Sequence, residues 1–330
     1  MTDKKGRILS GIKPSGKVHL GNYLGALSNW VKLQDAYDAF YFIADLHALT
    51  TAYEDTSNIA EDKKDLMIDL LAIGLDPKKC TLFVQSDVPE HAELHLILSM
   101  ITPISWLERV PTYKKIKQEM KGHDLNTYGF LGYPVLQAAD ILIYKADVVP
   151  VGRDQLPHLE LTREIVRRFN NYFGNVFPEP KDKLTNFPIL PGTDGRKMSK
   201  SYNNTINISD EPKIIDKKIM SMFTDPARIK KTDKGHPDKC PVHAYHEIFN
   251  KPERVKQIEK DCSSAKIGCV DCKKELAGLL SEKLRPIQDK RKELLKDFKA
   301  VEKVFAEGSE KAKIIANKTL QETKKAIKLI

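Results

Sequence analysis

Short apolar runs alternate with longer amphipathic ones through the first half of the chain. RILSGI (7–12) is short, apolar and followed by a Pro-Ser-Gly turn, so it reads as a strand. NYLGALSNWVKLQ (22–34) has helical spacing, and AFYFIADLHAL (39–49) begins as a strand. SNIAEDKKDLMIDLLAIGL (57–75) is an amphipathic helix. Ser57 is placed to cap it, Glu61 and Asp62 lie near its start, and Gly74 near its end. CTLFVQS (80–86) is a buried-strand run and PEHAELHLILSMI (89–101) is again helical. YPVLQAADILIYKADVVPVG (133–152) reads as helix, turn and a short strand ending at Gly152; DQLPHLELTREIVRRFNNYF (154–173) is a long helix. Strand then helix, repeated, predicts an α/β fold with a parallel sheet covered on both faces.

The pattern changes at PILPGTDGRKMSKSYNN (188–204), where Gly, Pro, Ser and Asn mark a loop. Strand-like runs stop there. Residues 210–330 are mostly helical, broken by TDPARIKKTDKGHPDKCP and by CSSAKIGCVDCKK (262–274), so a domain boundary is predicted near 190–205. Charge divides similarly. Residues 196–330 carry 32 Lys and Arg against 20 Asp and Glu, net +12, whereas the first 195 carry 22 against 25, net −3. A basic helical half suits a polyanion partner, and equally a solvated lysine-rich surface. No apolar run approaches a membrane span. The charged N-terminus lacks a signal-peptide core, which points to the cytoplasm.

Two stretches carry candidate chemistry. In SGIKPSGKVHLGNYLG (10–25), a strand enters a turn and a helix starts near His19. A helix N-terminus offers unpaired backbone N–H groups and partial positive charge, both favourable for phosphate. His19 and Asn22 can donate to phosphate oxygens, and Gly21 lets a base or phosphate approach the backbone. In GRKMSKS (195–201), two lysines and two serines sit on a Gly-containing loop able to neutralise charge that builds on a triphosphate. Each alone is weak, being equally a capped turn or a plain basic loop. The pair is specific.

With HLGN (19–22) and KMSKS (197–201), the chain resembles the class I aminoacyl-tRNA synthetases. KPSG (13–16), Asn22, PVLQAADILIY (134–144) and VPVGRDQLPHLELTREI (149–165) look like the tryptophanyl branch. The resemblance implies a Rossmann-like nucleotide-binding catalytic domain over 1–192. It implies a signature loop and helical anticodon-binding domain over 193–299, and a last helix, about 300–330, packed back on the first domain. It implies an enzyme that activates L-tryptophan with ATP, transfers it to tRNA(Trp), and works as a homodimer. His19, Asn22, Lys197 and Lys200 are then the catalytic set, on the phosphates and leaving pyrophosphate. Lys13, Pro14, Ser15, Gly21, Gly152, Arg153, Asp154, Ile189, Met198, Ser199 and Ser201 complete the ATP site. Mg²⁺ is implied as a phosphate counter-ion without a dedicated protein cage.

For tryptophan, Asp140 is the acceptor expected for the indole N–H, which is the ring's one polar group. Tyr133 and Gln155 are expected at the α-ammonium, with His47, Gln137 and Leu9 lining the pocket. Lys13 stands where the family often has an uncharged residue, and Gln137 where some bacterial members have methionine. A tyrosyl enzyme shares the Gln…Asp and Gly-x-Asp-Gln elements, so tyrosine is the alternative within the class. A non-catalytic paralogue is the alternative outside it.

Cys240, Cys262, Cys269 and Cys272 are spaced C-x21-C-x6-C-x2-C. In a reducing compartment such a set suggests a metal rather than disulfides. From spacing alone, structural Zn²⁺ is the commoner outcome. CPVHAYHEIF with IGCVDCKK resembles a subset of bacterial tryptophanyl enzymes carrying a [4Fe–4S] cluster, with one residue fewer here between the first two cysteines. The resemblance therefore favours [4Fe–4S], expected to be structural. Cys80, opening an apolar strand, is expected to be a buried small hydrophobe.

Overall fold

The computed structural model describes residues 6–111, 113–114, 124–184 and 190–330. Five parallel strands form one sheet: β1 (Arg7–Ile12), β2 (Asp38–Ile43), β3 (Cys80–Val84), β4 (Val148–Val151) and β5 (Lys181–Leu184), in the order β3-β2-β1-β4-β5. β1 pairs with β2 from Arg7 opposite Asp38 to Ile12 opposite Ile43. The α/β reading of the sequence is correct. The connection order reverses between β1 and β4, and ligands of such sheets bind beyond the carboxyl ends of the strands flanking that point. The KPSG turn leaves one of those ends and Gly152-Arg153-Asp154 the other.

The longer helices of the first half are α1 (Asp45–Ala52), α2 (Ile59–Ala72), α3 (Glu90–Ser99), α4 (Tyr128–Ile143) and α5 (Leu156–Phe173). Ser57 does not cap α2 as expected. Asn58 takes the cap position without a side-chain bond, and the Ser57 amide instead donates to Asp55 Oδ1 at 3.0 Å. β5 has the sequence KDKL, which no apolar alternation marks. It is an edge strand whose charges face water, held by backbone pairing to β4 and by Arg163 on Asp182 at 3.0 Å.

The second half contributes α6 (Pro212–Met220), α7 (Pro241–Phe249), α8 (Pro252–Ser263), α9 (Cys269–Lys296) and α10 (Phe298–Ala326). The chain divides into two compact units. One comprises Met1–Gly16, Ala26–Asn186 and Asp297–Ile330, the other Lys17–Gly25 and Phe187–Lys296. In the first unit, α10 covers the edge strand β3. A Cβ on Gly308 would stand 1.7 Å from the Leu82 carbonyl oxygen, so only glycine permits this approach. Beside it, Ser309 Oγ accepts from the Val84 amide and donates to Asp87.

The second unit takes in residues 17–25 because they are bonded to 206–208. The Leu20 amide donates to the Ile206 carbonyl at 2.8 Å, and Ile208 to Val18 at 3.0 Å. The HLGN segment is thus grouped with the KMSKS loop, not with 1–16 as a simple cut near 192 implies. α6 packs on α9, Gln288 of α9 donates to the Asp210 carbonyl at 2.7 Å, and Arg254 grips Glu275 at 2.7 and 2.6 Å, joining α8 to α9.

Candidate active site and cysteine centre

In the first unit the site is built on α4, whose start is capped by Thr127 Oγ1 accepting from the Phe130 amide at 3.2 Å. Tyr133, Gln137 and Asp140 are spaced four and three apart and share one face. Asp140 is 2% exposed. Its Oδ2 lies 2.7 Å from His47 Nε2; its Oδ1 lies 2.7 Å from Gln85 Nε2 and 2.6 Å from His91 Nδ1. A carboxylate only accepts, so all three partners donate. His91 is fixed in turn by the Tyr144 hydroxyl, 2.8 Å from Nε2. Burial pushes the Asp140 carboxyl up, but the charge and hydrogen bonds of His47, and then those of His91, hold it below the usual carboxylate range. The result is an ionised, buried acceptor with one lone-pair direction left on Oδ2.

Tyr133 hydrogen-bonds through its hydroxyl to His158 Nε2 at 2.8 Å. His158 is buried, and its Nδ1 has no partner among the described residues. Burial lowers its pKa to about 4, so the ring is neutral near pH 7. The Tyr133 hydroxyl and the neutral His158 ring share this hydrogen bond, with the donor set by the imidazole tautomer, and it fixes where the phenol oxygen sits. Gln155 is half-buried after Gly152-Arg153-Asp154. A Cβ on Gly152 would meet Asp154 Oδ1 at 2.7 Å, so glycine lets that carboxylate fold back over the strand end. Leu9 is a core residue of β1 and Gln137 is half-buried. Pro14 is buried, while Lys13 and Ser15 are exposed at the end of β1.

In the second unit, His19 caps a short helical turn, its Nδ1 accepting from the Asn22 amide at 3.3 Å. Burial and the charge of Lys200 lower its pKa to about 4. With Nδ1 used as acceptor, the neutral ring offers Nε2–H as a donor. A Cβ on Gly21 would lie 3.0 Å from the His19 ring and 3.7 Å from Met198. HLGN and KMSKS are therefore neighbours. The signature loop is tied down: Asn204 accepts from the Ser199 amide at 2.8 Å and donates to Asp194 at 2.7 Å and to the Lys197 carbonyl at 3.2 Å. Met198 is buried, whereas Lys197, Lys200 and Ser201 are exposed, and Ser199 Oγ meets Ser201 Oγ at 2.8 Å. Ile189 lies outside the described residues.

Cys240 precedes α7, Cys262 ends α8, and Cys269 and Cys272 begin α9. The left-handed residue in the turn before α9 is Ala265 (φ 59°). The four thiols feel one another. Burial, then the nearby Cys240 and Cys262, push the Cys272 thiol up to about 12. Cys262 is raised by burial and partly relieved by Arg228, whose guanidinium donates to its Sγ at 3.7 Å. A cationic metal centre stabilises thiolates against the burial that raises Cys262 and Cys272, and with Cys240 and Cys269 beside them these residues fit such a group.

Gln85, His91, Tyr144 and His158 escaped the sequence analysis. A signal existed for two of them. Gln85 is polar at the carboxyl end of an apolar strand, and His91 falls on the buried face of α3 with Leu94 and Leu98. Tyr144 and His158 carry none.

Comparison with known proteins shows the family. Residues 1–285 match the family described as tRNA synthetases class I (W and Y). The tryptophan–tRNA ligase of Thermotoga maritima is 53% identical over 98% of this chain and 99% of its own length. That of Aquifex aeolicus is 47% identical over 98% of this chain and 100% of its own. This chain belongs to the tryptophan–tRNA ligase family. Tryptophanyl-tRNA synthetase from Campylobacter jejuni, solved with ADP and tryptophan, superposes with a TM-score of 0.89 at 34% identity, covering 97% of this chain and 99% of that one. As a family member the chain is a class I aminoacyl-tRNA synthetase.

Proposed function

We propose that the chain activates L-tryptophan with ATP to tryptophanyl-adenylate and passes it to tRNA(Trp), releasing pyrophosphate and then AMP. The observation that carries the reading is Asp140, a buried ionised acceptor with a lone pair left for the single N–H of indole. Leu9, His47 and Gln137 line that pocket, and Tyr133 and Gln155 take the α-ammonium. The substrate carboxylate then attacks the α-phosphorus, and the bond to pyrophosphate breaks. Proton chemistry at the protein is minor; positioning and charge do the catalysis. His19, Asn22, Lys197 and Lys200 stabilise the phosphates, with Mg²⁺ as counter-ion. Lys13, Pro14, Ser15, Gly21, Gly152, Arg153, Asp154, Ile189, Met198, Ser199 and Ser201 hold the nucleotide. Tryptophan-dependent ATP–pyrophosphate exchange tests the assignment.

His158 is a positioning residue here, because its hydrogen bond at 2.8 Å orients the Tyr133 hydroxyl. His158→Phe should raise the tryptophan KM roughly 5–30-fold, the worth of about 1–2 kcal/mol for one lost buried hydrogen bond, with kcat nearly unchanged. Steady-state kinetics would check this; an unchanged KM contradicts it. An unfolded histidine binds its proton near pH 6.5 and this one near 4. Between those values the unfolded chain holds more protons, so stability falls as pH falls. Urea titrations should show a shallower fall in H158F.

The four cysteines carry a [4Fe–4S] cluster in this reading, in preference to Zn²⁺. The resemblance of CPVHAYHEIF and IGCVDCKK to the iron–sulfur subset supports that preference. The cluster, when bound, supplies a rigid cross-link and no electron to the reaction. Anaerobic protein should be brown and hold iron and sulfide; Cys272→Ser should lose both, keep tryptophan-dependent exchange, and show a raised KM for tRNA. A colourless anaerobic preparation with stoichiometric zinc contradicts this.

The net charge of +12 over residues 196–330 supports the tRNA backbone as the partner of the helical half. Leu96 on α3, Met100 just after it, Ile104 and Tyr128 are 54–73% exposed and support a homodimer. Among the described residues no helix is long and apolar enough to cross a membrane. Cytoplasmic action accords with the substrates.

A further inference from the structure

We propose a second metal site in the helical unit, in which His243, Glu247 and Glu259 bind one first-row divalent cation of the zinc class. His243 and Glu247 stand one turn apart on α7, and Glu259 comes from α8. One ligand atom from each lies within 4.8 Å of the other two, within the span of one coordination sphere. The cluster is more than a pair of acids. His243 is 7% exposed, and its Nε2 is buried with no hydrogen-bond partner among the described residues. Such an orphaned nitrogen costs free energy unless something else occupies its lone pair. Glu259 Oε1 is 3.2 Å from Nε2, yet is not in line to take a hydrogen bond from the ring. An ion pair between imidazolium and carboxylate would align N–H with oxygen. Two lone-pair atoms side by side at this separation are instead spaced as neighbouring ligands of one ion, whose bonds run to about 2.0–2.2 Å.

The site opens on a cavity of about 520 Å³, lined also by Asp238, Cys240 and Ser263. That leaves room for a water as a fourth ligand. One imidazole with two carboxylates suits zinc and its first-row neighbours better than Mg²⁺ or Ca²⁺, which take oxygen. The placement gives the ion a structural task. Cys240 lies three residues before His243 and Cys262 three residues after Glu259, so a cation joining α7 to α8 fixes the two helix ends that present those cysteines. The proposal rests on residues outside the cysteine set and stands whichever metal that set holds.

The test uses full-length protein purified anaerobically, with Zn²⁺ as the titrant in calorimetry and metal content read by mass spectrometry. The wild type should bind one zinc ion beyond what the four cysteines carry. His243→Ala should abolish that binding. Glu259→Gln, isosteric and close to the surface, should weaken it roughly 10–100-fold or more, since even outer partners of a metal are worth that much. Cys240→Ser should retain it, and Co²⁺ added to wild-type protein whose four cysteines already hold their own metal should show visible d–d bands without thiolate charge transfer. Zinc binding unchanged in H243A and E259Q, or lost in C240S, would overturn the proposal.

Discussion

Replacing Asp140 with asparagine should lower kcat/KM for tryptophan roughly 100- to 1,000-fold, almost entirely through KM, while the KM for ATP stays nearly constant. Three donors converge on this carboxylate from β3's end, α1 and α3. An amide in its place turns one acceptor into a donor that faces other donors, and removes the charge that the indole N–H would share. Breaking a buried charged network costs about 3–5 kcal/mol, and each 1.4 kcal/mol is tenfold in an equilibrium. Part of that cost falls on the fold, so thermal unfolding of the variant must be read alongside. Asp140→Ala adds a cavity and three orphaned donors, and should destabilise more than Asp140→Asn. An Asp140→Asn enzyme that folds and activates tryptophan with unchanged KM would remove Asp140 from indole recognition.

The second large effect is expected at the signature loop. Lys197→Ala and Lys200→Ala should each lower kcat of adenylate formation roughly 100- to 1,000-fold, the worth of one preorganised charge in a transition state. The tryptophan KM should hardly move, because the negative charge these ammonium groups neutralise grows as pyrophosphate departs. Losses in the double variant should fall short of additive, since both lysines act on one leaving group. The loop itself should survive, as Asn204 and the buried Met198 shape it without the lysine side chains. Single-turnover kinetics separates chemistry from binding. A rise in tryptophan KM at constant kcat would contradict the assignment.

Much of this was legible in the sequence, for physical reasons. β1, β2 and β3 are central or apolar enough to announce themselves, and α4 and α5 have long helical spacing. β5 was not legible, because an exposed edge strand keeps its charges and is defined only by its partner's backbone. The link between HLGN and residues 206–208 was hidden too, since main-chain hydrogen bonds leave no mark on side-chain identity. In the site, Asp140 was found by motif, but its charge state depends on His47, Gln85 and His91, which come from three different elements. Such convergence is a property of topology. The KMSKS loop read as a mobile basic loop; Asn204, which holds it, looked like ordinary loop composition.

The Asp140 pocket decides which amino acid is activated. ATP–pyrophosphate exchange, measured with each amino acid in turn, tests that most directly. Exchange driven by tryptophan, absent with tyrosine and lost in Asp140→Asn, is the predicted result. Exchange driven by tyrosine, or no exchange with any amino acid in folded protein, would contradict it.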